Sequence, residues 1–106
     1  AGSGRGGVII NIGSSAISGG RVGEGAYAAS KAGLVALTET IALEGKPYGI
    51  HAFTVIPRRT DTALRRALYP DEKDADLLDP ADVARVATFC ATEWMPHLSG
   101  QAFWVK

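Results

Sequence analysis

The sequence predicts an α/β fold in which the chain supplies a β-α-β-α-β portion of a doubly wound parallel sheet. Three observations carry this. Residues 8–12 (VIINI) and 50–56 (IHAFTVI) are short apolar runs rich in β-branched side chains, the pattern of strands covered on both faces. A long segment of alanine, leucine and glutamate separates them, as a crossover helix does. A second helix start, Asp79-Pro80, precedes a final apolar run at 101–105. Three strands leave two faces and two edges to cover. Residues 1–106 therefore read as a single partial domain, a piece of a larger sheet.

Residues 1–7 (AGSGRGG) form a flexible start with no apolar anchor. Gly2, Gly4 and Gly7 satisfy the G-x-G-x-x-G spacing of a dinucleotide loop. That spacing has meaning only after a strand and before a helix, and a strand follows it here. It is read as a surface loop. In the first strand Asn11 is set among isoleucines and valine, and Gly13, Ser14 and Ser15 end the run. Nine of the 13 glycines lie in the first 25 residues, and those from Ser18 to Gly25 make a loop that needs surrounding structure to hold one shape.

Residues 26–44 are the clearest helix, with Leu34, Leu37, Ile41 and Leu43 at roughly helical spacing and Gly45 and Pro47 as its stop. Ala28, Ala32 and Ala36 make a nearly flat face suited to close packing. Pro57 ends the second strand. Residues 60–69 suggest a short helix and 70–79 a charged loop, where six acidic residues crowd the stretch from Asp71 to Asp82. Asp79 is placed to cap a helix running from Pro80 to about Glu93, with Val83, Val86, Ala87 and Cys90 inward. Trp94 and Trp104 are expected to pack near the last strand.

Composition excludes several classes. Eleven basic against 11 acidic residues leave zero formal charge, hence no electrostatic footprint for nucleic acid or an anionic membrane. No apolar run is long enough to span a bilayer. One cysteine, Cys90, forbids an internal disulfide framework and fits a reducing compartment; with no leader visible, the expectation is cytoplasmic. His51 and His97 stand apart from each other and from any carboxylate cluster, so no metal site is expected.

The chemistry-bearing residues are Tyr27, Lys31 and Ser14. Tyr27 and Lys31 are four apart at the start of the long helix and point from one face. A phenol is a poor acid or base at neutral pH; a fixed ammonium nearby, aided by the positive end of the helix, favours the phenolate. The same spacing also suits a half-buried tyrosine beside a solvated lysine. Ser14 stands at the carboxyl end of the first strand, where open parallel sheets bind their ligands. Its hydroxyl there suits holding a carbonyl oxygen while Tyr27 delivers a proton. Ser15 competes for that role, and either serine can instead be a turn residue bonding its own backbone.

With these residues in view, IINIGS, then Ser14, a gap of twelve, and Tyr27 and Lys31 within YAASKAG resemble the short-chain dehydrogenase/reductase family. GIHAFTVIP, DPADVARVATFCA and LSGQAFWV follow in that family's order, so the likeness runs from Gly7 to Val105. It implies the C-terminal half of a Rossmann-like domain. It further implies an NAD- or NADP-dependent oxidoreductase that interconverts a carbonyl and an alcohol by hydride transfer on a small-molecule substrate. By the same resemblance Tyr27 would be the acid/base, Lys31 would lower its pKa and hold the nicotinamide ribose, and Ser14 would position the substrate. Pro57 would begin the segment along the nicotinamide, with Thr60 and Thr62 touching its carboxamide or the phosphates. Residues 64–78 would be a lid over the substrate. A homo-oligomer built on the long helix and last strand, with Trp104 at a contact, is implied as well.

The chain departs from the family where Arg58 and Arg59 follow Pro57 in place of glycine, and where HAFTVIP stands for a frequent Val-Asn. A cation at 58 either hinders the cofactor or meets a phosphate. The phosphate loop, the adenine-ribose reader and the catalytic asparagine belong to the family's N-terminal half, outside these residues, and would come from that missing half or from another chain. Two readings follow: an oxidoreductase that needs that half, the chain being inactive alone, or a truncated, non-catalytic homologue that acts as an associating scaffold through its flat helix face.

Overall fold

The computed structural model describes residues 6–20, 22–58, 67–68, 70–71, 77–93 and 95–106. Strand β1 (Gly7–Ile12), helix α1 (Gly25–Gly45), strand β2 (Ile50–Pro57), helix α2 (Pro80–Thr92) and strand β3 (Ala102–Val105) follow one another in the expected order. The three strands form one sheet, β1-β2-β3, and both pairings are parallel. Asn11 lies opposite Thr54, Ile12 opposite Val55, and Thr54 in turn opposite Ala102.

Strand β2 is central and buried along nearly its whole length, which is why its run is apolar on both faces. Alternation divides its side chains between two layers. Phe53 and Val55 pack with Cys90 of α2, joined by Val8, Ile10, Val83, Val86 and Phe103. Ala52, Thr54 and Ile56 turn to the other face, where α1 lies. The inward set expected for α2 holds: Cys90 is buried, and Val83, Val86 and Ala87 are partly so. Asp79 caps α2, its Oδ1 accepting from the amide of Ala81 at 2.9 Å.

Helix α1 differs from the expected pattern in two ways. Leu37 and Leu43 face solvent, and the line against the sheet runs instead through Thr38, Ala42 and Gly45, with Leu34 and Ile41 half-buried. The leucine spacing does not mark the buried face, because small residues allow the closer approach. A β-carbon at Gly45 would stand 2.9 Å from that of Ile50. Gly45 is also not the left-handed stop: its φ is −81°, the chain continues through a 3-10 turn, Lys46–Tyr48, and Gly49 (φ 69°) makes the reversal into β2. The alanine face is available, with Ala32 and Ala36 exposed and Ala28 half-buried.

The short helix expected over 60–69 and the lid over 64–78 fall largely outside the described residues, as do Gly2, Gly4 and Trp94. Trp104 lies in β3, 43% exposed, with the Lys106 ammonium 5.8 Å from its ring centroid. Among the described residues, no helix is long and apolar enough to cross a membrane.

Candidate active site

The carboxyl end of β1 leads into Ser14 and meets the Lys31 ammonium. After Ile12 the strand pairing continues one step further, Gly13 N–H donating to the carbonyl of Val55 at 2.8 Å. Gly13 is buried; a β-carbon there would press on Thr54 and Ile56 at 3.2 Å, so the smallest residue lets β1 leave the sheet close to β2. Ser14 then adopts an extended conformation and caps the 3-10 turn Ser15–Ile17, its Oγ accepting from the amide of Ala16 at 3.1 Å. Ala16 is buried and anchors the turn. The turn role considered for Ser14 is therefore real, and it leaves the hydroxyl proton available to a ligand.

Helix α1 enters from the glycine loop without a side-chain cap; the carbonyl of Glu24 accepts from Ala28 N–H at 2.8 Å. Tyr27 lies in its first turn, 49% exposed, so its phenol is accessible to a small molecule. Lys31, one turn on, reaches back over β1. Its Nζ donates to the carbonyl oxygen of Ile12 at 3.2 Å and lies 5.9 Å from the centroid of the Tyr27 ring. The spacing of four thus brings the Lys31 ammonium near the Tyr27 ring while it bonds the end of β1, two residues short of Ser14. Among the described residues, the Ser14 side chain bonds the Ala16 amide rather than Tyr27 or Lys31.

Pro57 closes β2 at the same end of the sheet, opposite Val105, and the amide of Arg58 donates to the Val105 carbonyl at 3.0 Å. Arg58 itself is half-buried. Thr60 and Thr62 lie outside the described residues.

Two contributors escaped the sequence reading. The Ile12 carbonyl is a backbone acceptor and leaves no side-chain signal. Asn11 was visible as a polar residue inside an apolar strand, and its partner is Thr38, at 2.9 Å. A cleft of about 900 Å³, lined by Glu39, Lys46, His51, His97 and Gln101, opens at the opposite end of the sheet, by the amino ends of β2 and β3. Among the described residues no three His, Cys, Asp or Glu side chains converge as a metal site would need.

The family model for short chain dehydrogenases matches residues 2–73. The chain is 32% identical over 110 residues to 3-oxoacyl-(acyl-carrier-protein) reductase FabG of Vibrio harveyi, covering 96% of this chain and 45% of that protein. It is 36% identical over 106 residues to estradiol 17-beta-dehydrogenase 8 of Callithrix jacchus, covering 92% of this chain and 79% of that one. Among solved structures, gluconate 5-dehydrogenase from Burkholderia cenocepacia, in complex with NADP and tartrate, superposes with a TM-score of 0.83 at 28% identity, over 95% of this chain and 44% of that chain. The chain thus spans under half the length of the first curated relatives it matches.

Proposed function

The chain belongs to the short chain dehydrogenase family, and from that premise we propose that it carries the proton-transfer half of an NAD(P)-dependent carbonyl/alcohol oxidoreductase. One observation carries the reading: Lys31 Nζ is tied to the Ile12 carbonyl while facing the accessible Tyr27 ring, at the end of β1 that leads into Ser14.

The residues fit a nicotinamide nucleotide. An ammonium has three donors, and Ile12 takes one; the others suit a pair of ribose hydroxyls. Lys31 and Tyr27 would hold that ribose, and Pro57 would line the neighbouring wall. Thr60 and Thr62 complete the proposed set from the sequence. The bound nicotinamide supplies or accepts the hydride. The protein's part is the proton. Tyr27 Oη donates it to the carbonyl oxygen in reduction and takes it back from the alcohol in oxidation. The Lys31 charge stabilises negative charge on that oxygen while the proton is away. Ser14 Oγ–H donates to the substrate oxygen and holds it facing Tyr27.

We place the rest of the cofactor site in a segment pairing with the other edge of β1, which among the described residues joins β2 alone and leaves Ile9 and Ile12 exposed. On this reading these 106 residues are the C-terminal half of the catalytic domain; their share of the relatives' length accords with a half. The test is oxidation of NADPH or NADH by the full-length protein with acetoacetyl-coenzyme A, a 3-oxoacyl thioester of the kind named for the FabG relative, and with a panel of simple aldehydes and ketones. Turnover of any carbonyl with cofactor oxidation supports the reading. No oxidation with any of them, by folded protein, overturns it.

A further inference from the structure

Helix α1 has alanine, glycine and leucine on every side, and its few polar residues, Lys31, Glu39 and Glu44 among them, are not gathered on one face. Laid on an apolar sheet, such a helix gains little from hydrophobic patterning to select one rotation about its own axis, and the close seat of Gly45 on Ile50 lies fourteen residues beyond Lys31. One residue step turns a helix by about 100°, enough to carry Lys31 away from the Ile12 carbonyl. A directional contact nearer the site would set the roll there.

Asn11 and Thr38 make one. Asn11 Nδ2 donates to Thr38 Oγ1 at 2.9 Å, and the Thr38 hydroxyl donates onward to the Leu34 carbonyl at 2.8 Å. Thr38 is fully buried. It lies seven residues, two helical turns, beyond Lys31, while Asn11 is the neighbour of Ile12 in β1. Adjacent residues of the strand are thus joined to positions two turns apart along one side of the helix. The Lys31–Ile12 bond is open to water, which competes for the ammonium; the Asn11–Thr38 bond is sheltered and keeps its direction. Buried polar pairs that select one register among several apolar ones have precedent in helical assemblies. Polarity alone is not the device. Thr54, opposite Asn11 in the sheet, is equally buried, and its hydroxyl has no hydrogen-bond partner among the described residues.

We propose that Asn11 and Thr38 are a positioning pair that fixes the roll of α1 on the sheet and so holds Lys31, and with it Tyr27, at the carboxyl end of β1. This rests on the reductase reading above. Neither residue touches substrate or cofactor; both act through Lys31.

The test compares three variants of the full-length protein with NADPH and acetoacetyl-coenzyme A, or the carbonyl from the panel that turns over best. Thr38→Val removes the hydroxyl at nearly constant volume, Thr38→Ser keeps it, and Thr54→Val makes the first change on the same sheet face where no bond is lost. Thr38→Val lowers kcat about tenfold or more, in the range of lost supporting contacts, with KM changed by less than about twofold, since substrate binding is not what the pair controls. Thr38→Ser restores kcat, and Thr54→Val leaves it unchanged. If Thr38→Val does not fold, Asn11→Ala reads the same kcat, because it removes the donor and leaves Thr38 bonded to Leu34. Full kcat in the folded variants lacking the bond, or a loss in Thr38→Ser equal to that in Thr38→Val, overturns the pair while Tyr27→Phe remains inactive. Full turnover by Tyr27→Phe overturns the reductase reading instead, and the pair's catalytic purpose with it.

Discussion

The ammonium of Lys31 donates to the carbonyl oxygen of Ile12 at 3.2 Å, joining a helix in its second turn to the last residue of a strand nineteen positions earlier. The bond turns a flexible side chain into a placed charge. It also makes the strand end part of the site, because any shift of β1 moves the charge that faces Tyr27.

Lys31→Met therefore removes both the charge and the tether. The expected result is a fall in kcat of about 10²-fold or more, the scale of lost acid–base assistance, with weaker binding of NADPH and a melting temperature close to that of the unsubstituted protein. Lys31→Arg does not restore activity, since a planar guanidinium cannot present the same compact donor to Ile12 and a ligand together. Steady-state kinetics beside a thermal melt decide it, and an active Lys31→Met would remove Lys31 from the mechanism.

Tyr27→Phe deletes one oxygen from a half-exposed ring, so the fold loses nothing it was burying. Turnover drops by about 10²–10⁴-fold, while fluorescence titration still shows NADPH bound by the full-length protein. Turnover near that of the unsubstituted protein assigns the proton to another group.

The sequence showed the strands, both helices, the Asp79 cap and the parallel order because each rests on a local rule: β-branched runs, a capping pair, crossover spacing. It brought Tyr27, Lys31 and Ser14 forward as candidates from a spacing of four on a helix and a place after the first strand, and the structure sets Lys31 against the end of that strand and near the Tyr27 ring. The facing of α1 was not legible. A helix with leucines on several sides has no periodic signal strong enough to name its buried face, and Thr38 and Gly45 are weak markers against Leu37 and Leu43. The Ile12 acceptor was beyond reach for a different reason, since every residue carries the same carbonyl.

Gly45 tests that facing directly. Alanine is the better helix former by about 1 kcal/mol, so on an exposed face Gly45→Ala would stabilise the protein. Here the added carbon meets Ile50 Cβ at 2.9 Å and its carbonyl oxygen at 3.1 Å. Overpacking of this kind costs about 1–3 kcal/mol, and the expected outcome is a net loss of stability in chemical denaturation. Ile50→Val does not relieve it, because the three atoms in the way, the β-carbon, its γ2 methyl and the carbonyl oxygen, are common to both residues. A stabilised Gly45→Ala would place α1 further from β2.

Cys90 gives the molecule an alkaline limit. Its side chain packs with Phe53 and Val55, and burial pushes the thiol above the usual range because the thiolate is the form that the apolar layer disfavours. The folded chain therefore holds the proton more tightly than the unfolded one. That contribution to stability is complete below the unfolded thiol's pKa and is lost as pH rises through the higher folded value. Cys90→Ala lowers stability at every pH by leaving a small cavity, but it removes this slope. Unfolding free energies measured by denaturant from neutral to alkaline pH are expected to fall more steeply for the unsubstituted protein than for Cys90→Ala, the two curves converging at high pH. Parallel curves would mean that the thiolate is as well accommodated in the fold as in water, and that the layer between β2 and α2 is wetter than its packing indicates.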